Sequence, residues 1–210
     1  MCQKMMIKLT KHIIKIIAIF IVLKSTIIMA SPLYDQGNKL YKKGQYSDAM
    51  ALYTKAAKDD DQEAIFAIAT MHYYGEGVKK DYTKTKKWLV PNAENGHSES
   101  QALLGLMHQK GQGGEVELGK AIEWLEQSAF QCNDTAQNWL SSLLWKHQKE
   151  DKDNNVRSFV WAYISAAQKN EDSYSLLIKT KKSLTEDELD KGKAMIQLIS
   201  RKYNCGKQDK

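Results

Sequence analysis

Proline is nearly absent: there are two in 210 residues, Pro32 and Pro91. Pro91 lies inside an otherwise helical pattern, where it removes a backbone donor and crowds the preceding turn. The helix is therefore expected to bend or end near Val90. Cysteine is also scarce, with three residues at 2, 132 and 205. No His-Glu-x-x-His, Gly-x-Ser-x-Gly or Cys-x-x-Cys occurs, which removes the commonest zinc-protease, hydrolase and dithiol readings. The chain also lacks the unbroken apolar run of about 20 residues that a membrane span needs. Its best candidate, IIKIIAIFIVL from Ile13 to Leu23, has Lys15 within it and Lys24 beside it. Each lysine would cost roughly 2.5–3.5 kcal/mol at mid-membrane.

That apolar stretch follows a basic start of Lys4, Lys8 and Lys11 and precedes Ala30, Ser31 and Pro32. Basic, apolar, then small is the order of a secretory leader, with cleavage expected after Ala30; an uncleaved anchor is the rival reading. Residues 1–30 are read as a signal peptide. The protein is read as exported, periplasmic or extracellular, with no stable membrane insertion after cleavage. The leader also accounts for the net charge. The chain has 31 Lys and Arg against 25 Asp and Glu, and five of the lysines but none of the acids fall in residues 1–30. What remains is 26 against 25, without the basic footprint of a nucleic-acid binder. Cys132 and Cys205 stay with the mature chain, in a compartment that permits disulfides. A bridge between them and two separate thiols both stand open, because geometry decides.

What the sequence does contain is a period. MHYYGEGVKKDYTKTKKWL from Met71 and MHQKGQGGEVELGKAIEWL from Met107 share Met-His, Gly-x-Gly and Trp-Leu at a separation of 36 residues. The same phase joins Ala64, Ser100 and Ala136, then Ala69, Gly105 and Ser141, then Ala57, Ala93 and Ala129. Self-similarity at this length marks a solenoid of short supersecondary units. Each unit reads as two helices. Ala64, Ile65, Ile68, Met71 and His72 share one face of the first, which Gly75 stops. The second starts at Asp81, buries Tyr82, Thr85, Trp88, Leu89 and Ala93, and ends at Gly96. One such pair cannot bury its face alone, so stacking supplies the core.

The stretch AIFAIATMHYYGEGVKKDYTKTKKWL…NAENG resembles the Sel-one-like repeat (SLR), a relative of the tetratricopeptide repeat. The resemblance rests on Ala64, Gly75, Gly77, Val78, Asp81, Trp88, Ala93 and Gly96. In the next unit it rests on Leu104, Gly105, Gly111, Gly113, Ala121, Trp124 and Ala129, with departures at Gly114 and Cys132. It implies an all-α, right-handed α/α superhelical solenoid. About four units are expected over residues 31–172 (approximately 34–62, 63–98, 99–134 and 135–172), with capping helices and a tail over 173–210. A capping box of Thr185 and Glu188 should open one of the terminal helices.

The family pattern weighs against chemistry at the repeated motif. A phosphate loop needs a strand before it, whereas a helix precedes Gly75-x-Gly77 and Gly111-x-Gly113, and Glu115 and Glu117 follow the second copy. These glycines read as helix-ending turns. His72 and His108 share a phase with Tyr41 and Leu144, which is a packing position, and no companion stands at metal-ligand spacing. No catalytic residue, cofactor or metal is assigned. The resemblance implies a non-catalytic scaffold that binds a protein or peptide. Phe66, Thr70 and Tyr73 are candidate contacts on the first helices, and Lys84 and Lys86 belong to a basic patch that an acidic partner could use. The alternatives are an envelope enzyme or β-lactam-binding protein of the cysteine-rich secreted branch, whose paired cysteines are missing here, and a cell-wall glycan binder.

Overall fold

The computed structural model describes residues 32–151 and 153–205, so the expected leader, its cleavage point at Ala30 and Cys2 lie outside the described residues. Within them the chain forms ten helices and no strand. Four helix pairs come first: α1 (Pro32–Lys42) with α2 (Tyr46–Ala57), α3 (Gln62–Tyr74) with α4 (Tyr82–Glu94), α5 (Ser98–Lys110) with α6 (Leu118–Phe130), and α7 (Asp134–Lys146) with α8 (Asp153–Ala167). Two further helices follow, α9 (Glu171–Ser183) and α10 (Glu186–Tyr203). From α1 to α9, neighbours in sequence are neighbours in space, as in a superhelical array.

Recurring caps set the period. Asp61, His97 and Asn133 are 36 residues apart, and each accepts a hydrogen bond from the backbone N–H three residues on, at Ala64, Ser100 and Ala136. Each cap satisfies one donor that the helix start leaves unpaired. The residue before each cap, Asp60, Gly96 or Cys132, turns the chain in the left-handed region.

The two glycines of each Gly-x-Gly have different tasks. Gly75 and Gly111 end the first helices at φ 81° and 66°. Gly77 and Gly113 are contact points with the preceding unit. A Cβ on Gly77 would collide with Tyr46 Cβ, and one on Gly113 would stand 3.1 Å from the Tyr82 carbonyl oxygen. Tyr46 and Tyr82 are themselves 36 residues apart and open the second helices.

The core runs between the helix layers. Ala49, Tyr53, Ala56, Ala64, Ile68 and Met71 fill its first part, and Ala69, Leu89, Ala93, Leu104 and Met107 its second. Gly105 lets α5 approach α6 so closely that an added Cβ would meet Leu125 Cγ at 2.6 Å. Trp88 and Trp124 are half-buried against the second part, not left in water. A buried polar ladder accompanies this apolar core. Gln101 Nε2 donates to the Ala93 carbonyl at 2.9 Å, and Gln137 repeats the bond to Ala129 at 3.0 Å. Asn92 Nδ2 donates to the Gln62 carbonyl, Ser128 Oγ to Ser98 and Ser165 Oγ to Asp134, tying the far ends of each helix pair together.

Pro91 does not end its helix. α4 continues through it to Glu94, so of the two outcomes expected near Val90, a bend or an end, the end does not occur. The ring stands at an exposed position, and the Pro91 carbonyl still accepts from Asn95 N–H at 3.0 Å. On each side of the ladder Asn92 and Ala93 hold the final turn through their bonds to Gln62, Ser100 and Gln101. Bonds from outside the helix thus hold the turn in which proline lacks its own backbone donor.

The C-terminal region closes the array. Ser173 Oγ donates to Ser165 Oγ at 2.8 Å, so α9 docks on α8 in the manner of a further first helix. α10 opens on the Thr185–Glu188 capping box and folds back against α8. Gly192 permits that approach, since an added Cβ would meet Phe159 Cδ1 at 2.8 Å. Cys132 and Cys205 are joined by a disulfide with a Cα–Cα distance of 5.2 Å, closing a segment of 73 residues. Among the described residues no helix is long and apolar enough to cross a membrane.

Candidate binding groove

The first helices α3, α5 and α7 stand side by side and enclose a groove of about 160 Å³. Phe66, Thr70 and Tyr74 come from α3, Glu99, Ala102 and Leu103 from α5, and Thr135 and Trp139 from α7, with Asn133 at its cap. Phe66 is 36 residues before Ala102, Leu103 is 36 before Trp139, and Glu99 is 36 before Thr135. The groove is one helix face repeated three times, with a different residue at each copy.

Phe66 and Thr70 line this groove, half-buried. Tyr73 does not. It is 8% exposed, its hydroxyl donates to Gln112 Oε1 at 3.1 Å, and its ring packs between Tyr74 and Tyr82. The adjacent Tyr74, 62% exposed, takes the groove position. The one-residue difference is a rotation of about 100° on a helix, which an apolar pattern does not resolve when both neighbours are tyrosine. Lys84 and Lys86 sit on α4, in the other helix layer, and do not contribute to the groove. Lys84 lies 4.0 Å from Asp81 and is largely solvated, so that pair adds little.

The groove is acidic at one end. His97, almost fully buried, packs its ring against Phe66 and places Nε2 at 3.4 Å from Glu63 and 3.5 Å from Glu99. Its Nδ1 accepts the capping bond from Ser100 N–H, which puts the ring proton on Nε2. The bond from His97 holds the Glu63 carboxyl below its usual range. Sequence reading missed His97, Glu63, Glu99 and Trp139. The signals for them were 36-residue phases: Asp61, His97 and Asn133 mark a cap, and Glu63 with Glu99 and Leu103 with Trp139 recur on one helix face, without saying that the face forms a groove.

His72 and His108 lie elsewhere, under the connections that follow α3 and α5. Burial lowers the pKa of both, helped by Lys84 at His72 and by Lys86 at His108. His108 Nδ1 bonds Glu117 at 3.0 Å, while His72 Nδ1 is buried without a hydrogen-bond partner. Among the described residues no cluster of three or more His, Cys, Asp or Glu is placed to hold a metal ion.

A family model for the Sel1 repeat matches residues 31–61, 62–97 and 98–129. Residues 31–129 are three Sel1 repeats. α7 and α8 lie beyond the match yet keep the Sel1 units' cap at Asn133 and ladder bond at Gln137. Two solved structures are similar. One, a Sel1 repeat protein from Oxalobacter formigenes, is 21% identical with a TM-score of 0.56, over 83% of this chain and 63% of that one. The other, a protective antigen present in uropathogenic Escherichia coli strains and displaying an SLR fold, is 19% identical with a TM-score of 0.46, over 81% of this chain and 45% of that one. The chain thus spans about half to two thirds of the length of these neighbours, and the likeness to the Oxalobacter formigenes protein is one of fold. No curated protein matches the chain significantly. Sel1 repeats generally mediate protein–protein interaction.

Proposed function

We propose that the chain is an exported, non-catalytic adaptor whose first-helix groove receives an extended segment of a protein partner. The observation that carries this reading is the groove itself: Phe66, Tyr74, Leu103 and Trp139 converge on it from three successive units. A volume of about 160 Å³ suits one inserted side chain, since small-molecule sites usually begin near 300 Å³. Aromatic anchors in a partly desolvated site are the residue types that dominate protein interfaces. The carboxylates of Glu63 and Glu99 beside Phe66 favour a segment that offers an apolar side chain followed by a basic one.

The test is photocrosslinking in cells. A photoreactive residue replaces Phe66 or Trp139 in the groove, or Lys87 in the other layer. The expected result is a discrete protein adduct from the first two positions and none from the third. Adducts from Lys87 alone, or no adduct from the groove, would refute it. Export is checked separately by N-terminal sequencing of the accumulated protein, which should begin at Ser31; a start before Ala30 contradicts the leader reading.

A further inference from the structure

A repeat array normally ends in a capping element with a polar outer face. Here four of the six exposed large hydrophobic residues among the described residues stand on α8 and the cap. Tyr163, Tyr174, Ile178 and Leu198 are all exposed on α8, α9 and α10, with Ile178 at 56% and Leu198 at 67%. Between these three helices lies a cleft of about 390 Å³, distinct from the first-helix groove. Phe159, Leu177, Leu189 and Ile196 form its walls. The volume falls within the range of small-molecule sites, roughly 300–1,000 Å³, which the first-helix groove does not reach.

The polar groups of the cleft have one sign. Lys181 and Lys193 line it together with Tyr163 and Gln197, and no carboxylate does. The two lysines differ from their neighbour Lys191, whose ammonium is held by Asp153 at 2.7 Å in a separate hollow of the cap. Lys193 pairs with Asp190 of its own helix at 2.8 Å, both groups being well exposed, so that bond exchanges readily with another anion. Lys181 has no acidic partner among the described residues. Apolar walls with two lysines in the lining match a molecule that has an apolar chain and a single anionic end.

We propose that the cap cleft is a binding site for a free single-chain carboxylate of the fatty-acid class. The chain would lie against Phe159, Leu177, Leu189 and Ile196, with its carboxylate between Lys181 and Lys193 and within reach of the Gln197 amide. This site is independent of the groove proposed for a protein partner, so either can fail without the other.

Calorimetric titration of the protein, expressed from its full sequence, with dodecanoate tests the proposal. Dodecanoate, kept below its own aggregation concentration, should bind saturably at one per chain. Dodecyltrimethylammonium, with the same chain and the opposite charge, should bind at least about tenfold more weakly, because charge-assisted hydrogen bonds are the strong ones. Lys181→Glu with Lys193→Glu should weaken dodecanoate by a similar factor; both positions are exposed, so the fold should persist. Lys84→Glu with Lys86→Glu, the same charge change in the other helix layer of α4, should leave binding unchanged. Four results would overturn the proposal: no saturable binding, equal binding of the cation, equal weakening by the two charge reversals, or binding to anionic phosphatidylglycerol vesicles with none to dodecanoate.

Discussion

The middle of the array and its C-terminal cap solve the same packing problem by different means. Between α3 and α6 the chain uses small residues, close helix approach and a repeated ladder of buried amides and hydroxyls. The contacts there lie within one helix pair or with an adjacent unit. In the cap the core is built from larger side chains, Val156, Phe159, Trp161 and Ile164, and a covalent bond joins residues 73 positions apart. The middle units satisfy one another on both sides, whereas the cap has a neighbour on one side only. It compensates with bulk and with the staple, and it leaves apolar surface over.

The largest expected effect separates the two regions directly. A disulfide that closes a loop of this length contributes about 4 kcal/mol on the chain-entropy view. Under reducing conditions, hydrogen exchange should therefore show α10 and the α6–α7 corner losing protection while α3 to α5 keep theirs. Uniform loss would mean that the array and the cap unfold as one unit. Next comes Leu125→Ala, which empties the site that Gly105 was shaped to meet and should cost about 3 kcal/mol by chemical denaturation. A smaller effect, about 1 kcal/mol, is expected for Gln101→Leu, which removes the side-chain donor to the Ala93 carbonyl, leaving it the Gly96 N–H, and takes the acceptor from Gln131 Nε2. The same measurement on Gln137→Leu asks whether the ladder has equal weight nearer the cap.

The smallest effect depends on pH. His72 and His108 have pKa values below the ordinary 6.5, with burial as the first cause. Lys84 adds to the shift at His72 while Asp81 opposes it; at His108, Lys86 and Lys120 add to it while Glu117 opposes it. In this window the unfolded chain binds protons that the folded chain refuses. Stability should therefore fall as pH drops below about 6.5. His108→Leu, which installs the residue found in the same phase at Leu144, should flatten the fall between pH 6.5 and 5 in a thermal melt. An unchanged slope would place the pH response at other groups.

Much of this architecture was legible because the period acts on residue type. Gly75 and Gly111 end helices wherever they stand, Thr185 and Glu188 form their capping box locally, and the Trp88 and Trp124 phase marks a packed position. The site was less legible. Phe66 and Thr70 followed from the first-helix face, but Tyr73 and Tyr74 differ only in rotation about the helix. Glu99 and Trp139 line the groove and Glu63 stands beside it; Glu63 and Glu99 are one period apart, but the period alone does not say that successive first-helix faces form a groove. An end at Pro91, one of the two outcomes expected there, does not occur because that rule considers only the backbone, and here Gln62, Ser100 and Gln101 hold the last turn from outside.

The sequence by itself determined the repeat, its helix pairs and their turns. Those depend on local conformation and on a pattern that each unit carries whole. Only the tertiary structure decided which thiols meet, which tyrosine faces the groove and where the cap opens a cleft. Those outcomes depend on the rotation and approach of helices packed against one another, which no single segment encodes.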